Sequence, residues 1–147
     1  MIRLEIVDPG NWRLGLKVSE SQKRFVADDM RLLARAYAYR ESRSNAYVIC
    51  DDDVPVGMAL YYDCDELKAY DFSQIFIDER YQGKGFGTEA ARQILKIMES
   101  DGKYDKVILC YIDGNDAAKN MYEKLGFHLT GECDEDEIIM EKVLRNC

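Results

Sequence analysis

A mixed α/β fold is what the sequence predicts, and three observations carry that prediction. Apolar residues alternate at period two in some short stretches and recur at three- and four-residue spacing in others. The two kinds interleave through the middle of the chain, while strand-like stretches dominate both ends. No repeat, low-complexity tract or Pro/Gly/Ser-rich linker divides the 147 residues, so residues 1–147 read as a single domain with one core.

In chain order, Ile2 to Val7 alternates as a strand and closes at Asp8-Pro9-Gly10. Trp12 to Val18 reads as a helix, and Asp28 to Tyr39 as a second one, with Leu32, Leu33, Ala36 and Tyr37 at helical spacing. Tyr47 to Cys50 and Val54 to Tyr62 form a hairpin about Asp51-Asp52-Asp53, and Leu67 to Asp78 a longer strand region. Ala90, Ala91, Ile94, Leu95 and Met98 mark an amphipathic helix that ends near Asp101-Gly102. Val107 to Ile112 is a nearly uncharged run, as expected of a strand buried on both faces. Asn115 or Asp116 can cap a helix reaching Leu125, with Gly126 as its stop. Phe127 to Leu129 and Ile138 to Val143 are closing strands around an acidic loop, Gly131 to Glu137.

Charge and cysteine usage exclude several functions. A net charge of −8 argues against a nucleic-acid module and for neutral or cationic partners, although an acidic surface also serves solubility. Five cysteines without a C-x-x-C pair and a single histidine, His128, make a zinc cluster improbable, so no metal is expected. No stretch of about 20 apolar residues and no signal-like N-terminus is present, so no membrane is expected and the reducing cytoplasm is the default.

The segment Gln82-Gly83-Lys84-Gly85-Phe86-Gly87-Thr88 joins a strand to the start of an amphipathic helix. Glycines there allow positive φ and close approach, and free amides plus the helix dipole suit a pyrophosphate. Gly85-x-Gly87-x-x-Ala90 with Asp105 also fits a dinucleotide fingerprint. Yet residues 79–84 intervene after the strand, and too little chain follows for a doubly wound domain. A P-loop fails because Gly85, not Ser or Thr, follows Lys84.

Gln82-x-x-Gly85-x-Gly87 after an extended strand resembles the acyl-CoA motif of the GNAT superfamily of N-acetyltransferases. The segment from Asn115 to Phe127, with Ala118, Tyr122 and Gly126, resembles that family's N-x-x-A…Y-x-x-x-G-F signature. The residues from Leu16 to Gln22, with Phe25-Val26-Ala27, and those from Phe76 to Gly85 resemble the bacterial spermine/spermidine acetyltransferase branch. Relatives often carry Arg where Gln74 stands, which leaves the substrate open.

The resemblance implies a mostly antiparallel central sheet with flanking helices, acetyl-CoA as cosubstrate, and direct transfer to a primary amine such as spermidine or spermine. Another amine, a silent CoA-binding sensor and a homodimer are further implications. It also implies that the main chain of Ile75, Phe76 and Ile77 holds the pantetheine arm and thioester carbonyl, while residues 82–88 hold the phosphates. Asn115 then contacts the cofactor as well as capping its helix, and Tyr122 protonates the leaving thiolate, a core tyrosine being the plainer alternative.

Asp71 is the candidate general base, with Glu79, Asp78 or bulk water as alternatives. Period-two counting sets Asp71 on the face of Ile75 and Ile77, unless the bulge that the family leads one to expect intervenes. Asp63 to Glu66 and Glu132 to Glu137 fall in loops suited to flank a cationic acceptor or simply to be solvated.

Overall fold

The computed structural model describes residues 1–23, 25 and 28–144, so Val26, Ala27 and Cys147 lie outside the described residues. A seven-stranded sheet runs in the order β1-β2-β3-β4-β5-β7-β6. Its strands are β1 (Ile2–Ile6), β2 (Asn45–Asp51), β3 (Val54–Cys64), β4 (Ala69–Ile77), β5 (Lys106–Ile112), β6 (His128–Asp134) and β7 (Glu137–Val143). Every neighbouring pair is antiparallel except β4 and β5. That parallel pair is joined by a helical crossover, α2 (Phe86–Asp101), as parallel strands require. The other helices are α1 (Asp29–Ala38) and α3 (Asp116–Lys124). None of the helices among the described residues is long and apolar enough to cross a membrane.

The two faces of the sheet carry separate cores. Ala90, Ala91, Ile94 and Met98 of α2 pack on Tyr61, Tyr70, Phe72, Val107 and Leu109. On the other face Leu32 of α1 meets Met58, Leu60, Tyr62 and Phe76, joined by Leu16 and Val18. α2 keeps the stripe its spacing announced, whereas in α1 Leu32 is buried with Leu33 and Ala36 beside it and Tyr37 is exposed. Asp28 caps α1 by accepting from the Arg31 amide at 2.8 Å, and Gly102 ends α2 at φ +74.

Three expectations need correction. Trp12 to Val18 is not helical: Gly15 takes φ +69, and the buried Leu16 and Val18 alternate at period two. The amide of Lys17 instead donates to Asp78, and its carbonyl accepts from Glu79. β5 is buried on one face only, through Val107 and Leu109, because its other side opens onto a gap in the sheet. The acidic run is a hairpin rather than a loop: Gly131 to Asp134 belong to β6, and Glu137 begins β7.

Two buried carboxylates hold the ends of these elements. Asp63 is 5% exposed and takes Arg43 Nε at 2.6 Å and Lys103 Nζ at 2.9 Å. Arg43 also reaches Asp101, which accepts from the Tyr70 hydroxyl, so the end of α2 is tied to β3 and β4. Asp63 therefore serves the fold and does not flank an acceptor.

Asp78 is fully buried at the end of β4. It accepts from the Lys17 amide at 3.0 Å, the Arg80 amide at 3.0 Å and Arg80 Nε at 2.9 Å. Burial works to raise its pKa, but the Arg80 guanidinium and the two amides bring it down to about 2. Replacing it by alanine strands these donors, and Asp78→Ala is expected to cost about 2–4 kcal/mol at neutral pH. Because the folded pKa is depressed, that difference is present above the unfolded value of about 3.9 and shrinks as pH falls toward 2. Urea melts of both proteins across that range provide the check; an equal offset at every pH would contradict it.

Candidate active site

β4 and β5 pair only at Tyr70–Val107 and Asp71–Ile108, and then they part. β4 stays with β3 as far as Ile77–Gly57, and β5 stays with β7 as far as Ile112–Glu137. Gly57 is what lets β4 lie so close to β3, since a Cβ there would stand 2.2 Å from the Phe76 carbonyl oxygen. The gap between the parted strands is a cleft of about 560 Å³.

Backbone alternation gives the β4 side of this cleft its chemistry. The Asp78 amide donates to Val56 of β3 at 2.7 Å, so period two turns the amides and carbonyls of Ile75 and Ile77 toward the open edge. The Ile77 carbonyl accepts there from Gln82 Nε2 at 2.9 Å. Phe76 also lines the cleft, but its main chain faces β3 and its ring packs in the α1-side core. Of the three residues, Ile75 turns its amide and carbonyl to the open edge and Ile77 its amide, the Ile77 carbonyl being taken by Gln82.

At the far end of β4 the loop turns into α2. Gly83 and Gly85 both hold φ +80, where a side chain would strain the backbone. The first intrahelical bond of α2 runs from the Glu89 amide to the Gly85 carbonyl at 3.1 Å. The amides of Phe86, Gly87 and Thr88 are therefore left without intrahelical partners at the cleft. Gln82 and the glycines line the cleft and Lys84 does not. Gly87 does not adopt positive φ, and a Cβ there would make an ordinary contact of 3.4 Å with Ile77 Cγ1, so neither turning nor space requires this third glycine.

The opposite side is built by α3. Asn115 caps that helix, its Oδ1 accepting from the Ala118 amide at 3.3 Å, and it lines the cleft as well. Tyr122 is buried against Phe127, edge to face at 5.8 Å, and also reaches the cleft. Burial pushes its phenol up to about 12, so it keeps its proton at neutral pH.

The remaining end of the cleft lies beside the fork. Leu60 pairs with Gln74, but Tyr62 pairs with Asp71, so β4 carries one extra residue here. This bulge sets Asp71 on the α1 face with Tyr62, away from the face of Ile75 and Ile77. Asp71 sits at the fork itself, behind the lining residues. Desolvation raises its carboxyl, Arg35 lowers it and Glu137 raises it, with the result at about 6. Arg35 also donates to the Ser73 hydroxyl at 3.1 Å. Across the cleft, desolvation and the charges of Glu137, Asp71 and Asp134 push the Cys110 thiol up to about 11, which leaves it a poor nucleophile.

Of the two acidic runs only Glu137 lines the cleft. Asp78 is consumed by its hydrogen bonds, and the exposed Glu79 lies outside the lining, so neither is placed as a base. Arg31 and Arg35 line the cleft from α1 and were not singled out by the sequence, where four-residue spacing on a polar helix face reads as a solvated face. Among the described residues no group of three His, Cys, Asp or Glu is placed to hold a metal ion.

Comparison with known proteins adds a family. The model of the acetyltransferase (GNAT) family matches residues 13–127. A spermine/spermidine N(1)-acetyltransferase from Bacillus subtilis (strain 168) is 33% identical over 96 residues, covering 60% of this chain and 63% of that protein. The chain thus spans less than two thirds of the length of this curated relative. The structure of a spermidine N-acetyltransferase from Vibrio cholerae in complex with CoA and spermine superposes with a TM-score of 0.78 at 18% identity, covering 97% of this chain and 95% of that one. An aminoglycoside acetyltransferase in complex with coenzyme A gives 0.80 at 15% identity, with the same coverages. At such identities the structural likeness is one of fold.

The raised Asp71 carboxyl has a consequence for stability. Its folded pKa lies above the unfolded value of about 3.9, so its protonated form favours folding and that contribution is lost as pH rises through about 6. Asp71→Asn, which stays neutral, is expected to melt above wild type at pH values over 7 and with it near pH 4. Thermal melts at the two pH values decide this, and a variant less stable at both would contradict it.

Proposed function

Since the chain belongs to the acetyltransferase (GNAT) family, we propose that it transfers the acetyl group of acetyl-CoA directly to a primary amine, with a polyamine such as spermidine or spermine as acceptor. The observation that carries this reading is the open edge of β4. It runs from the fork at Asp71 past Ile75 and Ile77 to the free amides at the start of α2. An extended pantetheine arm can pair with such an edge as an added strand does, and its pyrophosphate fits the amides of residues 86–88. Neutral amides bind that anion without basic side chains, which suits a protein of net charge −8.

Each step of the transfer has a residue to serve it. The Ile75 or Ile77 amide steadies the thioester carbonyl oxygen as charge builds on it. The amine lone pair attacks the carbonyl carbon, the C–S bond breaks, and Tyr122 gives its proton to the departing sulfur. Asp71, raised to about 6 and set behind the lining residues, takes through a water the proton that the amine loses. The cationic Arg35 beside it disfavours a protonated amine and so favours the nucleophilic form.

Support for a polyamine comes from the curated relative and from Glu137 and its acidic hairpin at the cleft rim, which attract a linear polycation. A single domain in the cytoplasm, able to pair as a homodimer, completes the proposal.

The test is to incubate the protein with acetyl-CoA and a panel of amines and to follow free thiol. Release with spermidine or spermine supports the acceptor proposed here. Release only with another amine keeps the reaction and changes the acceptor, and no release with any amine overturns both. Tyr122→Phe is expected to lower kcat at least about 100-fold with little change in KM, as loss of a general acid does. An unchanged kcat at saturating amine would remove Tyr122 from the mechanism.

A further inference from the structure

The bulge in β4 does more than reverse the parity of Asp71. It sets two consecutive residues, Ser73 and Gln74, toward the α1 side. The Ser73 hydroxyl is already engaged by Arg35. Gln74 is not engaged in this way. It pairs with Leu60 across the strands, on the face where Leu60 and Phe76 join the α1-side core. Its Oε1 is buried with no hydrogen-bond partner, the only side-chain atom of that kind found among the described residues. Folded proteins rarely leave a buried amide oxygen unpaired, and where they do the group usually has another use.

Position says what the use is. Gln74 lines the cleft, and it directly precedes Ile75, the first of the residues whose main chain opens onto that edge. In β4 it lies between the fork at Asp71 and the open main chain of Ile75. We propose that the Gln74 amide oxygen receives an N–H of the acceptor amine and aims the nitrogen lone pair at the thioester carbonyl. This rests on the acetyl-transfer reading above and adds to it the residue that recognises the nucleophile.

The chemistry fits an amide better than its neighbours. Arg31 and Arg35 carry donors only and repel a cation. A carboxylate in the same place would hold the amine in its protonated, unreactive form. An amide oxygen accepts from a neutral amine without stabilising the ammonium. The terminal torsion of glutamine is broad and roughly two-fold, so a turn of the amide presents the oxygen to the cleft without moving the strand. The acceptor class that follows is a neutral amine keeping at least one N–H besides its lone pair, which admits primary and secondary amines and excludes tertiary ones.

Gln74→Leu separates this from a structural role, because the two predict opposite behaviour. Leucine removes the buried unpaired amide oxygen, so the melting temperature of the variant is expected to equal or exceed that of wild type. Its KM for the acceptor amine is expected to rise at least about tenfold, with the dissociation constant for CoA unchanged by calorimetry. Gln74→Glu, which keeps an oxygen, is expected to recover part of the acceptor KM at low pH, where it is neutral. A KM within twofold of wild type in Gln74→Leu overturns the proposal, as does a loss of CoA affinity equal to the loss of amine affinity.

Wild-type turnover separately tests acetyl transfer. Should wild type release no thiol, or should Gln74→Leu not fold, spermidine is titrated into the CoA complex of the wild-type protein and the Gln74 side-chain amide is followed by NMR. A saturable shift supports the assignment, and an unmoved signal overturns it.

Discussion

Everything proposed for this protein depends on the point at which β4 and β5 stop pairing. Two residue pairs hold the parallel strands together, and beyond them each strand keeps only its other neighbour. A sheet interior normally leaves no main-chain group unpaired. Here the divergence leaves a row of them facing a cleft, which is a site for an extended ligand built without any special side chain. Gly57 fastens β4 to β3, and the fully buried Asp78 fixes the turn after Ile77, so the open edge is rigid on its far side.

The same divergence creates two different environments for titrating groups. Tyr122, buried on the α3 side, is shifted upward by desolvation alone, to about 12. Asp71, in the fork, is raised by desolvation and moderated by Arg35 to about 6. One group therefore holds a proton at neutral pH and the other is ready to take one, which is the division of labour that amine acylation asks for. The bulge decides the placement of the second group. Without the extra residue in β4, Asp71 would share the face of Ile75 and Ile77, against α2.

How much of this the sequence disclosed depends on the range of the interactions involved. The glycine loop, the stripe of α2, the Asn115 cap and the position of Tyr122 are all written in local spacing. The helices and strands of the middle of the chain, the sheet class and the loop of the candidate site were legible for that reason. The segment 12–18 misled because Trp12, Leu16 and Val18 suit a helix as well as an extended run, and its hydrogen bonds go to residues 78 and 79. Asp63 looked like surface charge because its partners, Arg43 and Lys103, come from distant parts of the chain. The acidic run at 131–137 read as a loop, although β7 was available to pair with it. Ser73 carried no signal of its own and Gln74 only its departure from the Arg of relatives, since the bulge that exposes both depends on the register of another strand.

The central claim is that the open edge of β4 binds the acyl donor through main chain. Amide hydrogen exchange, read residue by residue with and without saturating CoA, tests this most directly. The Ile75 and Ile77 amides are predicted to exchange readily in the free protein and to become protected when CoA is bound, while the Phe76 amide, already facing β3, changes little. Ile75 and Ile77 amides that exchange equally fast in the CoA complex would contradict the account.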